Sequence, residues 1–456
     1  MATGPAPLPL LQALKDNSLS DEEANAVRLK ACKLAQLPEG IPELGRRISL
    51  LDLADNELTT LPESFAKLEK LKVLFFLKNR FEVAPDVLGR LPSLYMLSFK
   101  SNQLTVFPDA ALAPTVGWLI LTDNKLAALP SNVGNVPLRK AAFAANRLTS
   151  LPESLSTCTT LELLRISANE LQTLPAGLFS LPKLAWLGVA GNPCSYTNRV
   201  AEEAMDALPR VPWSNLRIDD GEPLGSGASG VVRAATMHDG TRVAVKRYHA
   251  QATSDGRPED EVKAAVTASG HDNVMRTLFA LDSATDTDAG ALALGLPLLD
   301  MARYSVLGNV PSFDSVSRDT YPDGRTFASG KARDWAIAVS RALAHLHRKG
   351  ICHGDAYAHN TLIDDVGDLP AMLSDFGAAW FYPPDSVQAP LIERMEARAL
   401  GCLLEELAER LEGDGSAETR SVLMHAATHC MDPTVASRPS MSEVVEYLAS
   451  GRDFAT

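Results

Sequence analysis

The residues that could do chemistry lie in the C-terminal half of the chain, and the first of them form a glycine-rich stretch. "PLGSGASGVVRAA" follows the pattern G-x-G-x-x-G-x-V, with Leu224 before Gly225, Gly227, Gly230 and Val232. Dinucleotide-binding folds share this pattern and flexible loops imitate it, but a dinucleotide site would have an acidic residue about 20 positions further on. The chain has instead Lys246, in "RVAVK", 16 residues after Gly230. Taken alone, a lysine there is typical of a solvated strand end.

A second stretch, "ICHGDAYAHN" at 351–360, combines an acid, an amide and an imidazole. His353, Asp355 and Asn360 lie within eight residues of one another, and Asp375 follows twenty residues after Asp355 in "LSDFGAAW". The stretch contains neither lysine nor arginine.

Periodic segments around these residues predict the elements that position them. "RPEDEVKAAVTASGHDNV" predicts a helix that carries Glu261, with Glu259 as the alternative because helix register is uncertain from sequence. "WAIAVSRALAHLH" has apolar residues at helical spacing and predicts a buried helix leading into 351–360. "ERMEARALGCLLEEL" and "CMDPTVASRPSMSEVVEYL" predict further helices, which carry Glu396 and Arg438.

In this order, the motifs from Leu216 to Leu448 resemble those of the protein kinase family. The resemblance implies an α+β domain of two lobes that transfers the γ-phosphate of ATP with the help of Mg²⁺. Lys246 would hold the ATP phosphates with Glu261 fixing it, under a phosphate-covering stretch that comprises Leu224, Gly225, Gly227, Gly230 and Val232. Asp355 would accept or orient the substrate hydroxyl, and Asn360 and Asp375 would hold Mg²⁺.

The chain departs from the family at two cations. Gly354 replaces the arginine that pairs with a phosphorylated activation loop, and the segment between Gly377 and Pro390 has Tyr382 and Ser386 as its only phosphorylatable hydroxyls. We therefore expect activity without loop phosphorylation. Tyr357 replaces a lysine that neutralises the transferring phosphate, which could slow transfer and blurs serine/threonine specificity.

Two further departures concern the end of the activation segment and the class of substrate. "APLIER" lacks the usual glutamate, so the partner of Arg438 is open, with Glu393 as a substitute. The H-G-D loop also resembles small-molecule phosphotransferases such as the aminoglycoside kinases.

The first half of the chain repeats with a period of 22 or 23 residues. Each repeat has the form L-x-x-L-x-L-x-x-N-x-L. Its asparagine is Asn56, Asn79, Asn102, Asn124, Asn146, Asn169 or Asn192. An additional first repeat has Cys32 in place of the asparagine. This period and pattern are those of the leucine-rich repeat, in which stacked coils share one continuous core. The fold class predicted for the first half is therefore an α/β solenoid.

The residues between the repeat leucines are expected to form a concave, protein-binding sheet surface. An exposed row of apolar side chains is predicted there, consisting of Phe75, Met96, Trp118, Ile120 and Trp186. Such residues are typical anchors of protein interfaces. The alternative is that these side chains cover one another without any partner.

These patterns predict three regions: an N-terminal capping helix at 1–28, the repeats with a C-terminal capping helix at 29–212, and the kinase-like domain at 213–456. The net charge of −13 argues against general nucleic-acid binding. We expect no membrane span and no secretory signal, and the six scattered cysteines fit reduced thiols in the cytoplasm.

The function that we predict is a serine/threonine protein kinase whose repeats recognise protein partners. Two alternatives stay open at this point: a pseudokinase scaffold, and a phosphotransferase acting on a small molecule.

Overall fold

The computed structural model describes residues 7–16, 18–195, 199–249, 253, 255–282, 292–300, 302–365 and 367–454. These residues form two compact units. The first unit runs to Arg165 and includes Asn169–Leu181, and the second comprises Ile166–Ala168 and the chain from Pro182 onward.

The first unit is built from short parallel strands joined by turns of 3-10 helix. It begins with three helices, α1 (Pro7–Lys15), α2 (Asp21–Asn25) and α3 (Gly40–Glu43). The strands lie side by side in chain order, as β1 (Ala26–Arg28), β2 (Leu50–Asp52), β3 (Val73–Phe75), β4 (Met96–Ser98), β5 (Trp118–Ile120), β6 (Lys140–Ala142) and β7 (Leu163–Arg165). Helix α2 starts at a capping box between Ser20 and Glu23. The regular stacking agrees with a solenoid, and the leucine-rich-repeat assignment stays a prediction.

The repeated asparagines are buried and link neighbouring coils. Asn124 donates from Nδ2 to the carbonyl oxygens of Phe99 and Leu121, each over 2.9 Å, and its Oδ1 accepts the N–H of Leu104 over 2.9 Å. The residue before the asparagine adopts a left-handed conformation, with φ of 50° to 60° at Asp55, Lys78, Ser101, Asp123 and Ala145. That conformation is unfavourable for a residue other than glycine, so the asparagine hydrogen bonds hold it in place.

The predicted row of exposed apolar residues is only partly exposed. Met96 and Trp118 are each 4% exposed and Trp186 is 5% exposed, so the prediction is wrong for these three residues. The ammonium of Lys140 lies 4.5 Å from the centre of the Trp118 ring and covers it. Phe75 and Ile120 are half-buried.

The second unit begins with elements that the sequence placed among the repeats. Strand β8 (Trp186–Gly188) is followed by α4 (Arg199–Ala207), which packs against the later helix α5 (Pro258–Ala268). Strand β9 (Arg210–Pro212) pairs with β14 (Phe279–Asp282) in the sheet of this unit. Both α4 and β9 have their core contacts in the second unit, which begins before the predicted boundary at residue 212. The division of the chain into domains at that residue stays a prediction.

The sheet of the second unit is predominantly antiparallel. Its remaining strands are β10 (Leu216–Ile218), β11 (Gly225–Ser226), β12 (Gly230–Met237), β13 (Arg242–Tyr248) and β15 (Ala293–Pro297). The strand order is β10, β12, β13, β15, β14, β9, with β11 paired to β12. Apolar side chains of β12, β13, β14 and β15 form one core on this sheet, and α4 and α5 pack into a second core with it.

The rest of the second unit is largely helical. Its helices are α6 (Ser329–Arg348), α7 (Ala389–Glu409), α8 (Ser416–Cys430) and α9 (Met441–Ser450). Short strands connect them, as β16 (Tyr304–Val306), β17 (Phe327–Ala328), β18 (Ile351–Cys352), β19 (Thr361–Asp364), β20 (Met372–Leu373), β21 (Trp380–Phe381) and β22 (Leu411–Glu412). The helices predicted over 335–347 and within 393–407 are confirmed as parts of α6 and α7. In the described parts of the chain, no helix has both the length and the apolar character needed to cross a bilayer.

Candidate active site

Lys246 and Glu261 form an ion pair between the sheet and helix α5. Lys246 lies on β13 opposite Val232 of β12, and its ammonium contacts the Glu261 carboxylate. Their side chains are 15% and 4% exposed. Glu259, the alternative, is exposed, since residues two apart on a helix point in different directions. Among the two predicted acids, the geometry selects Glu261.

Asp375 adds a second carboxylate to this pair. Burial disfavours the charged ammonium, but the charges of Asp375 and Glu261 outweigh burial and raise the pKa of Lys246 above its ordinary value. Lys246 is therefore a cation at neutral pH. One cation with two carboxylates leaves a net negative charge, which a divalent cation would neutralise.

The glycine-rich stretch forms the turn between β11 and β12. A side chain at Gly225 or Gly227 would meet no atom within 4 Å, so this edge is open to a ligand. A Cβ at Gly230 would lie 2.3 Å from the carbonyl oxygen of Arg247. The close approach of β13 therefore requires a glycine at position 230, whether or not a ligand binds. Leu224 is 39% exposed at the same edge, where its N–H bonds to the carbonyl of Val232 over 2.8 Å.

Asp355, Asn360 and His353 are tied together by hydrogen bonds. The Asn360 side chain donates from Nδ2 to the carbonyl oxygen of Asp355 over 2.9 Å. The N–H of Asp355 donates to Nδ1 of His353 over 3.3 Å, and Nε2 of that ring lies 3.2 Å from the carbonyl oxygen of Ser374. The His353 ring also packs against Phe376, with ring centres 5.1 Å apart. These contacts bring the segment of Asp375 next to the loop of Asp355.

The two residues predicted to hold a metal meet through Ser374. The carbonyl oxygen of Asn360 accepts the Ser374 N–H over 2.8 Å and its hydroxyl over 3.0 Å. Because Nδ2 of Asn360 is engaged, its amide oxygen is the atom left for a metal, and the Asp375 carboxylate is exposed. The described residues contain no cluster of three or more His, Cys, Asp or Glu suited to a metal. A Mg²⁺ ion here would take its other ligands from phosphates and water, as is usual for that ion.

Glu396 of α7 holds the loop 351–360 in place. It is fully buried, accepts the N–H of Gly354 over 2.7 Å through Oε1, and lies 2.8 Å from Nε2 of His347 through Oε2. Burial alone would raise the pKa of Glu396, but the hydrogen bond and charge of His347 outweigh it and hold that pKa below its ordinary value. Asp355 therefore follows a peptide group held by a buried carboxylate on α7.

Residues 218–393 match the family described as "Protein kinase domain". The second unit contains a protein kinase domain. The chain is similar to a probable receptor-like protein kinase of Arabidopsis thaliana, 28% identical over 223 residues, or 46% of this chain and 41% of that protein. It is 30% identical over 171 residues to CBL-interacting protein kinase 22 of Oryza sativa subsp. japonica, or 37% of this chain and 38% of that protein.

A tyrosine-protein kinase receptor of Caenorhabditis elegans is also similar, 25% identical over 171 residues, or 37% of this chain and 14% of that protein. The chain thus spans less than half the length of each of these relatives.

In this kinase domain Tyr357 does not take the position of a cation that faces a phosphate. Its side chain is 0% exposed, and its ring lies 6.1 Å from the His359 ring at an angle of 7°. Burial raises the pKa of the Tyr357 hydroxyl well above its ordinary value, so the group stays neutral. Tyr357 is a packing residue of the loop.

Two residues of the site, His359 and Asp319, were not predicted from the sequence. The His359 ring lies 2.8 Å through Nδ1 from Oδ1 of Asp319 and 3.3 Å through Nε2 from Oδ2 of Asp355. Its backbone N–H donates to the other Asp319 oxygen over 2.7 Å. His359 lies in the stretch 351–360, four residues after Asp355. That spacing was the one sign in the sequence that the two side chains could meet. Asp319 belongs to no motif of the sequence.

The activation segment of the kinase domain is ordered by buried contacts. Strand β21 pairs with β18, and Nε1 of Trp380 donates to the carbonyl oxygen of Leu187 over 2.9 Å. Tyr382 is 1% exposed and donates its hydroxyl to Glu393 over 3.0 Å.

The predicted pairing of Arg438 with Glu393 is wrong. The buried Arg438 guanidinium donates instead to backbone carbonyl oxygens, of Asp432 over 2.8 Å and of Pro182 over 2.7 Å.

Proposed function

We propose that this chain is an ATP-dependent protein kinase that phosphorylates serine or threonine hydroxyls. The observation that carries the proposal is the assembled arrangement of Lys246, Glu261 and Asp375 beside the loop of Asp355 and Asn360. Phosphoryl transfer depends mainly on positioning and electrostatic stabilisation, so this set meets its principal requirement.

Each side chain has one part in the proposed reaction. Lys246, held by Glu261, binds the phosphates of ATP, and the open turn at Gly225 and Gly227 covers them. Mg²⁺ bound by Asn360 and Asp375 would supply positive charge at the phosphates. The substrate hydroxyl oxygen bonds to the γ-phosphorus, the bond from that phosphorus to the bridging oxygen breaks, and ADP leaves.

Asp355 takes the proton of the substrate hydroxyl. Its Oδ2 is near His359, while Oδ1 is buried and has no hydrogen-bond partner in the described part of the chain. The product is a phosphomonoester, and the proton is later released to solvent.

We further propose that the repeats recognise protein partners, including the substrate. The support is the half-buried pair Phe75 and Ile120 on the strands of the first unit. Apolar residues of this kind serve as anchors in protein interfaces. Changing both residues to Asp should reduce phosphorylation of proteins in a cell extract, while phosphorylation of a generic peptide stays unchanged. Equal labelling of the extract proteins by the wild type and by the double variant would contradict this role.

The main proposal is tested by incubating the full chain with γ-labelled ATP, Mg²⁺ and a generic protein such as casein, followed by identification of the labelled amino acid. Label on serine or threonine supports the proposal. Label on tyrosine contradicts the specificity. Absence of transfer, with ATP bound, would favour a scaffold that lacks kinase activity.

A further inference from the structure

Within the second unit, the segment 182–192 lies directly on the catalytic loop. The Trp186 ring lies 5.6 Å from the His359 ring at 29°, and 5.6 Å from the Tyr357 ring at 36°. Trp186 is 5% exposed. The indole therefore restricts how the imidazole of His359 can rotate, through the stacking geometry that aromatic rings prefer.

The next residue along the segment occupies the space beside Gly354. A Cβ at Gly354 would lie 2.8 Å from the carbonyl oxygen of Leu187 and 2.6 Å from that of Ala378. The same Leu187 oxygen accepts the indole N–H of Trp380. The space in which an arginine side chain at position 354 would begin is thus filled by backbone atoms. The segment takes the place of that side chain in holding the activation segment.

His359 joins this segment to the carboxylate of Asp355. Both ring nitrogens face carboxylate oxygens, one of Asp319 and one of Asp355, so both must carry a hydrogen to bond them. The Asp319 side chain is fully buried and also receives the backbone N–H of His359. Asp319 therefore fixes the ring from one side while Trp186 packs on its face.

We propose that Trp186 and Asp319 are positioning residues of the phosphotransfer centre, which act by holding His359 in the orientation that hydrogen-bonds Asp355. This inference rests on the proposed kinase function and adds to it. The segment 182–192 is then part of the catalytic centre, although its sequence belongs to the repeat pattern. The arrangement also gives the loop an ordered carboxylate without the arginine and lysine that positions 354 and 357 lack.

The test compares variants of the full chain in steady-state transfer to casein, with kcat and the KM for ATP measured separately. We expect Trp186→Ala and Asp319→Asn each to lower kcat at least about fivefold, with the KM for ATP within about twofold. The KM should hold because both residues act on the loop of Asp355, whereas ATP binding is assigned to Lys246 and the glycine-rich turn. Trp186→Phe keeps a ring on His359 and should recover kcat to within about threefold of the wild type.

A merely structural role is separated by two further measurements. Phe143→Ala removes a fully buried ring from the first unit and should lower the melting temperature without lowering kcat. Titration of the nucleotide-binding sites gives the folded fraction, to which every kcat is normalised. If Trp186→Ala does not fold, the nearly isosteric Asp319→Asn decides the matter.

Two outcomes overturn the inference in distinguishable ways. An active wild-type chain with undiminished normalised kcat in Asp319→Asn and in any folded Trp186→Ala would refute the positioning role and leave the kinase proposal standing. A wild-type chain that transfers no phosphate would refute both.

Discussion

The hydroxyl of Tyr382 donates a hydrogen bond to the carboxylate of Glu393 over 3.0 Å, and the tyrosine side chain is only 1% exposed. A kinase acting on the activation segment would have to unpack this residue before modifying it. The Oγ of Ser386, the other hydroxyl of the segment, accepts the N–H of Ala389 over 3.2 Å. The order of the segment thus comes from its buried contacts.

Transfer activity should not depend on phosphorylation of the activation segment. Phosphatase treatment, or Tyr382→Phe combined with Ser386→Ala, should leave kcat within about threefold, which corresponds to roughly 0.65 kcal/mol of barrier. Gly354 has no side chain to bind a phosphate, which is the physical reason. A loss of activity after phosphatase treatment that returns on rephosphorylation would contradict the prediction.

Lys246→Ala and Asp355→Asn should each abolish transfer while the chain stays folded. The first change removes the cation proposed to bind the ATP phosphates. The second removes the proposed proton acceptor but keeps a side chain of similar shape. Lys263→Ala is the matched control, since Lys263 is an exposed lysine on the same helix as Glu261. Transfer is measured with labelled ATP and folding by circular dichroism. A wild-type transfer rate in either variant would show that the substituted residue has no part in the proposed reaction.

Gly354→Ala should abolish the proposed phosphate transfer and lower the free energy of unfolding. Gly354 has φ of +75°, and its Cβ would press on two backbone oxygens, so the loop must shift. Gly413→Ala is the control, because Gly413 has φ of +80° but nothing within 4 Å of its Cβ position. The free energy of unfolding of the control should fall by only about 1–2 kcal/mol, which is the cost of a left-handed conformation in a residue with a side chain. Its transfer activity should be unchanged. Equal behaviour of the two variants in melting and transfer assays would show that the contact with Leu187 and Ala378 is unimportant.

The stability of the chain should show a pH dependence due to Glu406. Burial, together with the charge of Asp319, raises the pKa of Glu406 to about 8 from an ordinary value of 4.5. The folded chain keeps a proton that the unfolded chain releases, so this group favours folding fully below pH 4.5 and progressively less up to about pH 8.

The melting temperature of the wild type relative to Glu406→Gln should therefore fall across pH 4.5 to 8 and stay constant above it. Each kcal/mol corresponds to about 2–4 °C in a unit of this size. Glu409→Gln changes an exposed residue of the same helix and should show no such trend. A flat difference for Glu406→Gln would mean that Glu406 is ionised in the folded chain.

Asn124→Ala should destabilise the first unit. The change leaves the carbonyl oxygens of Phe99 and Leu121 and the N–H of Leu104 without their asparagine hydrogen bonds. We expect a loss of about 2–4 kcal/mol, since each buried unsatisfied group costs roughly 1–3 kcal/mol. The exposed Asn135→Ala is the control. Urea unfolding of the full chain checks both, and a midpoint for Asn124→Ala equal to that of the control would contradict the role of the asparagine.

Much of the site could be predicted because its parts are encoded locally. Lys246, Asp355, Asn360 and Asp375 stand at characteristic intervals along single strands and loops, so their types and spacing make them candidates for the site. The choice between Glu261 and Glu259 needed the phase of α5, which depends on where the helix begins at Pro258. Periodicity gives the buried face of an element, but it does not give the absolute rotation of that element against its neighbours.

The sequence by itself determined the repeat period, the asparagine positions and the order of the kinase motifs, because these depend on contacts between residues at fixed short intervals. Only the tertiary structure decided that Asp319 meets His359, forty positions away, and that Leu187 lies against Gly354. It also decided that Trp186 packs against the rings of Tyr357 and His359, where the repeat pattern predicted exposure. Such contacts depend on which surfaces of separately formed elements pack together, and no spacing along the chain records that choice.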